Sequence, residues 1–145
     1  MTGRLFAAGK DEKTMEEKKL DVLDVLLRPE LPDVRKALPE KQVEVSRLSE
    51  LAGEPVIFKL RGLSYDQVRK IQDKPREEQA VYGVLYGCAS PSWKDPRLLD
   101  KEKGIVTPVD AIKARLLSGE IDDLYLEVQK LCGYLRRTIA DVKNA

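Results

Sequence analysis

Hydrophobic positions along the chain follow two different periods. In "QVEVSRL", Val43 and Val45 share one face while Glu44 and Ser46 point the other way. In "PVIFKLRG", Val56, Phe58 and Leu60 alternate with Lys59 and Arg61. The intervening "SELAGE" offers Gly53 for a loop, so the pattern predicts an antiparallel hairpin over about residues 42–61. A lone hairpin is marginal in water, and its apolar face therefore needs helices to cover it.

The rest of the chain favours spacings of three and four. Leu20, Leu23 and Leu27 mark a short amphipathic stretch, after which Pro29, Pro32 and Pro39 impose an irregular crossing. "LSYDQVRKIQD" predicts a helix over about 64–73, with Ser64 as cap, Gln67 positioned to bond back, and Leu63 able to pack on Val68. Its inner face is expected to be Tyr65, Val68 and Ile71. Pro75 opens a helix over about 76–89 through an uncharged run, and Pro91 and Pro96 then impose a long connection. Thr107 caps a helix over about 108–117, with Pro108 in the first turn and Asp110 facing the helix dipole. Ser118-Gly119 is expected to end it. The last helix spans about 120–137, with Gly133 as a costly interior residue. The fold class expected is α+β, mainly helical, with one antiparallel hairpin packed against the helices. Residues 1–19 form a charged lead-in to a single domain over 20–145.

At 145 residues the chain is long enough for one sizeable core. Lys+Arg 26 against Asp+Glu 25 leaves a net charge of +1, so no long-range field steers it to nucleic acid or an anionic membrane. Cys88 and Cys132 sit among apolar residues without a C-x-x-C spacing, which suits two reduced thiols rather than a zinc or redox motif. The apolar run Leu5 to Ala8 is too short for a signal sequence, and the uncharged window Gln79 to Trp93 falls short of the ~20 residues a spanning helix needs. A cytoplasmic, soluble protein is expected.

Candidate chemistry is sparse. Gly83 and Gly87 have a small-xxx-small spacing, read as a close helix contact inside a soluble core because the window cannot span a membrane. The two helices joined by "SGE" have the layout of a helix-turn-helix, yet Glu120, Asp122 and Asp123 would open its recognition helix against phosphate. Glu16-Glu17, Glu77-Glu78 and Asp122-Asp123 sit on charged faces or near helix starts, with no sign of the apolar pocket a general acid requires. "DKEKG" lacks the alternating oxygens of a calcium loop. No nucleophile elbow, phosphate loop or dinucleotide fingerprint is present, and with no His the commonest general base is missing. No catalytic, cofactor-binding or metal-binding residue is assigned.

The informative pattern is Ile121, Leu124, Val128, Leu131 and Leu135, spaced three, four, three and four over two heptads. Such a stripe serves a core, and part of it, or the N-terminal leucine stretch, can receive an amphipathic helix from another protein. These five are the candidate partner-binding residues.

Four segments in order carry a family resemblance: "LPEKQVEVSRLSELAGEPVIFKLRGLSYDQVRKIQ", "GCASPSWKDPRLL", "TPVDAIKARLLSGEIDDL" and "LCGYL". Together they make the chain resemble the phage tail assembly chaperones of the XkdN-like kind, from about Leu20 to Leu135. The one departure is Cys132, where the family pattern has a small polar residue before Gly-Tyr. The resemblance implies a non-catalytic protein of the host cytoplasm, not expected in the mature virion, whose partner is the tape measure protein. It also raises a second partner, the tail tube protein, reached through a frameshifted longer form. It leaves homo-oligomers open and implies no nucleic-acid or membrane partner. Competing readings are a small structural tail or head–tail joining component, and a DNA-binding regulator.

Overall fold

Caps and changes of period, rather than overall composition, set several boundaries in the computed structural model, which describes residues 20–142. The lead-in expected over residues 1–19 lies outside the described residues. The chain divides at Asp33 into two compact units. In the first unit, α1 (Val22–Leu26) is one short helix capped by Asp21, whose carboxylate accepts from the Leu23 N–H at 3.0 Å. None of its residues is buried, and Leu20, Leu23 and Leu27 are all exposed.

The second unit is α+β and mainly helical. Its three strands, β1 (Glu40–Glu44), β2 (Ile57–Arg61) and β3 (Cys88–Ser90), form one antiparallel sheet with β2 in the middle. β1 pairs with β2 from Glu40–Arg61 to Glu44–Ile57, and Phe58 and Leu60 face inward as the alternation requires. The expected loop between them is a helix, α2 (Ser46–Ala52), so the hairpin expected over 42–61 is a strand–helix–strand unit. "SRLSELA" holds good helix formers, and Gly53 at φ 77° provides the left-handed stop that ends it. The ladder continues one step beyond the strands, the Val45 N–H donating to the Val56 carbonyl at 3.1 Å.

α3 (Tyr65–Gln72) has the expected capping box: Ser64 Oγ accepts from the Gln67 N–H, and Gln67 Oε1 accepts from the Ser64 N–H at 3.0 Å. Ile71 is buried and Val68 half-buried, but Tyr65 lies outside with the Arg69 guanidinium 4.5 Å above its ring. The helix expected over 76–89 is shorter. A 3-10 turn (Arg76–Glu78) leads into α4 (Gln79–Gly87), and Cys88 then turns extended to pair with Leu60. Pro91 helps explain the change, since the residue before a proline avoids helical geometry. Trp93 from the following connection packs edge-on against Phe58, with ring centroids 6.1 Å apart.

α5 (Pro108–Arg115) starts as read, with Thr107 and Asp110 forming a reciprocal capping box. It ends before the expected residue 117. Leu116 is extended and buried, Leu117 is the cap of the next helix, and Ser118-Gly119 form that helix's first turn rather than a break. α6 (Ser118–Leu131) therefore begins earlier and ends earlier than the expected 120–137. Gly133 at φ 93° stops it, with Tyr134 N–H closing onto the Gln129 carbonyl at 3.0 Å. The core gathers around α4, which packs against α3, α5, α6 and β3, while α6 also lies against β2.

Candidate partner-binding groove

The five residues of the expected seam do not share one surface. Ile121, Leu124 and Val128 are 8%, 6% and 0% exposed, sealed into the core along the first three turns of α6. Leu131 is half-buried. Leu135 lies past the end of the helix, exposed, with a left-handed φ of 66°. The sealed part depends on the two glycines of α4. A Cβ built on Gly87 would come within 2.6 Å of Val128 Cγ2, and one on Gly83 would overlap the Tyr125 ring. The small-xxx-small spacing is thus a close helix–helix contact inside the core, as expected.

At the other end of α6 the cover is incomplete. Gly62 is held on both sides: its N–H donates to the Pro39 carbonyl at 2.8 Å, and a Cβ there would lie 3.2 Å from the Leu131 carbonyl oxygen. The next amide, Leu63, donates to Cys132 Sγ at 3.1 Å. These contacts lash the end of β2 to the end of α6, and a groove of about 300 Å³ opens beside them. Val34, Leu38, Leu63, Val68, Leu131, Cys132 and Tyr134 line it, with Arg136 at its edge. A second hollow of about 250 Å³ shares Leu63, Val68, Cys132 and Tyr134 and extends along Gln72, Tyr125 and Gln129. The groove's lining is mostly apolar, and the Cys132 thiol is not activated. Burial pushes the thiol of Cys132 and the phenol of Tyr125 above their usual values, so both stay protonated at neutral pH. Such a surface binds by shape and burial.

Of the candidates named from the sequence, Leu131 alone lines this groove. Val34 and Leu38 come from the proline-interrupted segment, where no periodicity marks them. Leu63 was legible only as half of a helix-start staple, Val68 as its other half and as part of a helix's inner face, and Tyr134 only as part of "LCGYL". The end of α6 brings them together because Gly133 turns the chain back over its last turn.

Several charged groups elsewhere pair with one another. Arg47 donates to both Glu120 carboxylate oxygens at 2.9 Å and to the Arg115 carbonyl at 2.8 Å, tying α2 to the junction of α5 and α6. Glu120 also accepts from the Leu117 N–H at 2.7 Å, and its pKa is lowered chiefly by Arg47. Lys41 pairs with Glu127. Cys88 is buried beside Trp93, and that burial pushes its thiol up to about 11. Among the described residues, no group of three or more Cys, Asp or Glu is placed to hold a metal ion.

Just under half of the chain is similar to a known family. Residues 78–145 match the phage XkdN-like tail assembly chaperone proteins. The XkdN-like match takes in α4, β3, α5, α6 and the turn after them, and three of the four segments that carried the resemblance. That family is one of phage tail assembly chaperones. The groove straddles the match: Leu131 to Arg136 lie inside it, while Val34, Leu38, Leu63 and Val68 lie outside. The crystal structure of the protein YqbN shares the fold, with a TM-score of 0.52 at 18% identity, covering 68% of this chain and 89% of that one. No curated protein matches the chain.

Proposed function

We propose that this protein is a non-catalytic tail assembly chaperone of a phage or prophage, which binds the tape measure protein and keeps it soluble until the tail tube encloses it. The observation that carries the reading is the XkdN-like match over residues 78–145. The groove at the end of α6 supports it, because it offers a place for apolar side chains of a client helix without burying a large hydrophobic face. A long helical client exposes apolar stripes that would otherwise meet one another and aggregate. The protein works in the host cytoplasm, is absent from the finished virion, and recruits the tube protein through a frameshifted longer form. No helix among the described residues is long and apolar enough to cross a membrane, which is compatible with that location.

Co-expression with the tape measure gene tests the reading. The client is expected to become soluble and to co-purify with the chaperone. An insoluble client beside a folded, soluble chaperone overturns the proposal. Mass spectrometry of purified particles adds an independent check, because a fixed copy number in the virion would mark a structural component instead.

A further inference from the structure

Cations gather around the groove with a single carboxylate among the lining residues, whereas several cations elsewhere are ion-paired. Lys41, Arg47, Lys59, Arg97 and Lys130 each have a carboxylate within ion-pair distance. Around the groove, Arg136 stands at one edge. An adjoining hollow of about 380 Å³, which shares Leu38 and Ser64 with the groove, is lined by Arg35, Lys36, Arg61 and Lys70. Asp66 is the one carboxylate among the residues lining either. Lys36, Arg61, Lys70 and Arg136 are exposed. None of these four has a carboxylate of the described residues within ion-pair distance. A chain with a net charge of +1 therefore carries a local excess of positive charge, concentrated where its apolar groove opens.

We propose that the groove selects an amphipathic helix whose leucine-type stripe is flanked by Asp or Glu. Resting on the chaperone reading, this gives the client segment its chemistry: apolar residues enter between Leu63, Val68 and Leu131, and acidic flanks meet Lys36, Arg61, Lys70 and Arg136. The apolar floor sets affinity, while the rim sets orientation and rejects basic helices. Nucleic acid would use the same cations but would leave the aliphatic floor uncovered, so a helix fits the whole surface better.

The test uses the full chain and two synthetic amphipathic helices with the same leucine stripe, one flanked by Glu and the other by Lys. Fluorescence anisotropy is expected to show the Glu helix binding about tenfold more tightly, since several exposed charge pairs act together. The gap should narrow as salt rises. Lys70→Glu with Arg136→Glu, both at exposed positions, should erase or reverse the preference while circular dichroism stays unchanged. Equal affinity for the two helices overturns the proposal. So does binding of duplex DNA, lost in the same double variant, with neither helix bound. Self-association of the free chain that the Glu helix reverses would assign the groove to a second copy and also overturn it. Loss of the charge preference leaves co-purification of the tape measure protein untouched, whereas failed co-purification leaves the peptide result standing.

Discussion

The first three turns of α6 and its last turn follow the same hydrophobic spacing yet end in different environments. Ile121, Leu124 and Val128 are closed over by α4, where Gly83 and Gly87 remove the side chains that would hold the two helices apart. Leu131 packs only partly against the core, with the backbone of Gly62 close to its own, and past that contact the surface is left open as the groove. Spacing in the sequence chooses which residues face one way. Whether that face becomes core or docking surface depends on what the neighbouring element lets approach.

Truncation inside the sealed half should cost most. Leu124→Ala removes a side chain that is 6% exposed, and should lower unfolding stability by about 2–5 kcal/mol in urea titrations. Stability within about 1 kcal/mol of wild type would mean that α4 and α6 do not form the central contact. Gly87→Ala comes next, at about 1–3 kcal/mol from overpacking against Val128. Val128 is fully buried and β-branched, so it cannot move aside. Gly83→Ala should cost less, because Tyr125 borders the open hollow and its ring has somewhere to go. The order of these two glycine variants, read by thermal melts, is the sharper outcome, and a reversal would place the rigid wall at Tyr125.

The two halves also differ in their thiols. Burial raises Cys88 from its usual value of 9.0 to about 11. Between those values the unfolded chain gives up a proton that the native chain keeps. The stability this group contributes is therefore full below pH 9.0 and falls as pH rises towards about 11. Its limiting slope is about 1.4 kcal/mol per pH unit. Urea midpoints should fall more steeply with pH in wild type than in Cys88→Ala over that window. Parallel curves would show that Cys88 is not sealed. Cys132, half-buried in the groove, should react with a maleimide in the native state well before Cys88 does.

Much of the sealed half was legible, because caps and periods are local. Ser64 with Gln67, and Thr107 with Asp110, gave helix starts that the structure reproduces. The alternation of Phe58 and Leu60 gave the central strand. Errors arose where a local signal had two outcomes. Gly53 fits a loop or a helix stop, and the good helix formers before it decide for the stop. Ser118-Gly119 fits a helix end or a first turn, and the burial of Leu116 decides for the turn. Gly133 could have been tolerated inside a helix, but its left-handed φ ends α6 and removes Leu135 from the seam. The groove was least legible because Leu38, Val68 and Tyr134 meet only through tertiary contacts that no period announces.

The smallest expected effect on stability separates the two halves most cleanly. Leu131→Ala should cost about 1 kcal/mol or less, since its side chain is only half removed from water. Its close approach to Gly62 runs through the carbonyl oxygen, which the substitution leaves in place. The end of α6 should therefore stay docked, with Leu63 N–H still donating to Cys132 Sγ. What the variant removes is part of the groove's apolar floor, so affinity for a leucine-striped helix should fall while the urea midpoint hardly moves. A loss of stability approaching that of Leu124→Ala would mean that Leu131 belongs to the core, and the groove would be a surface irregularity rather than a docking site.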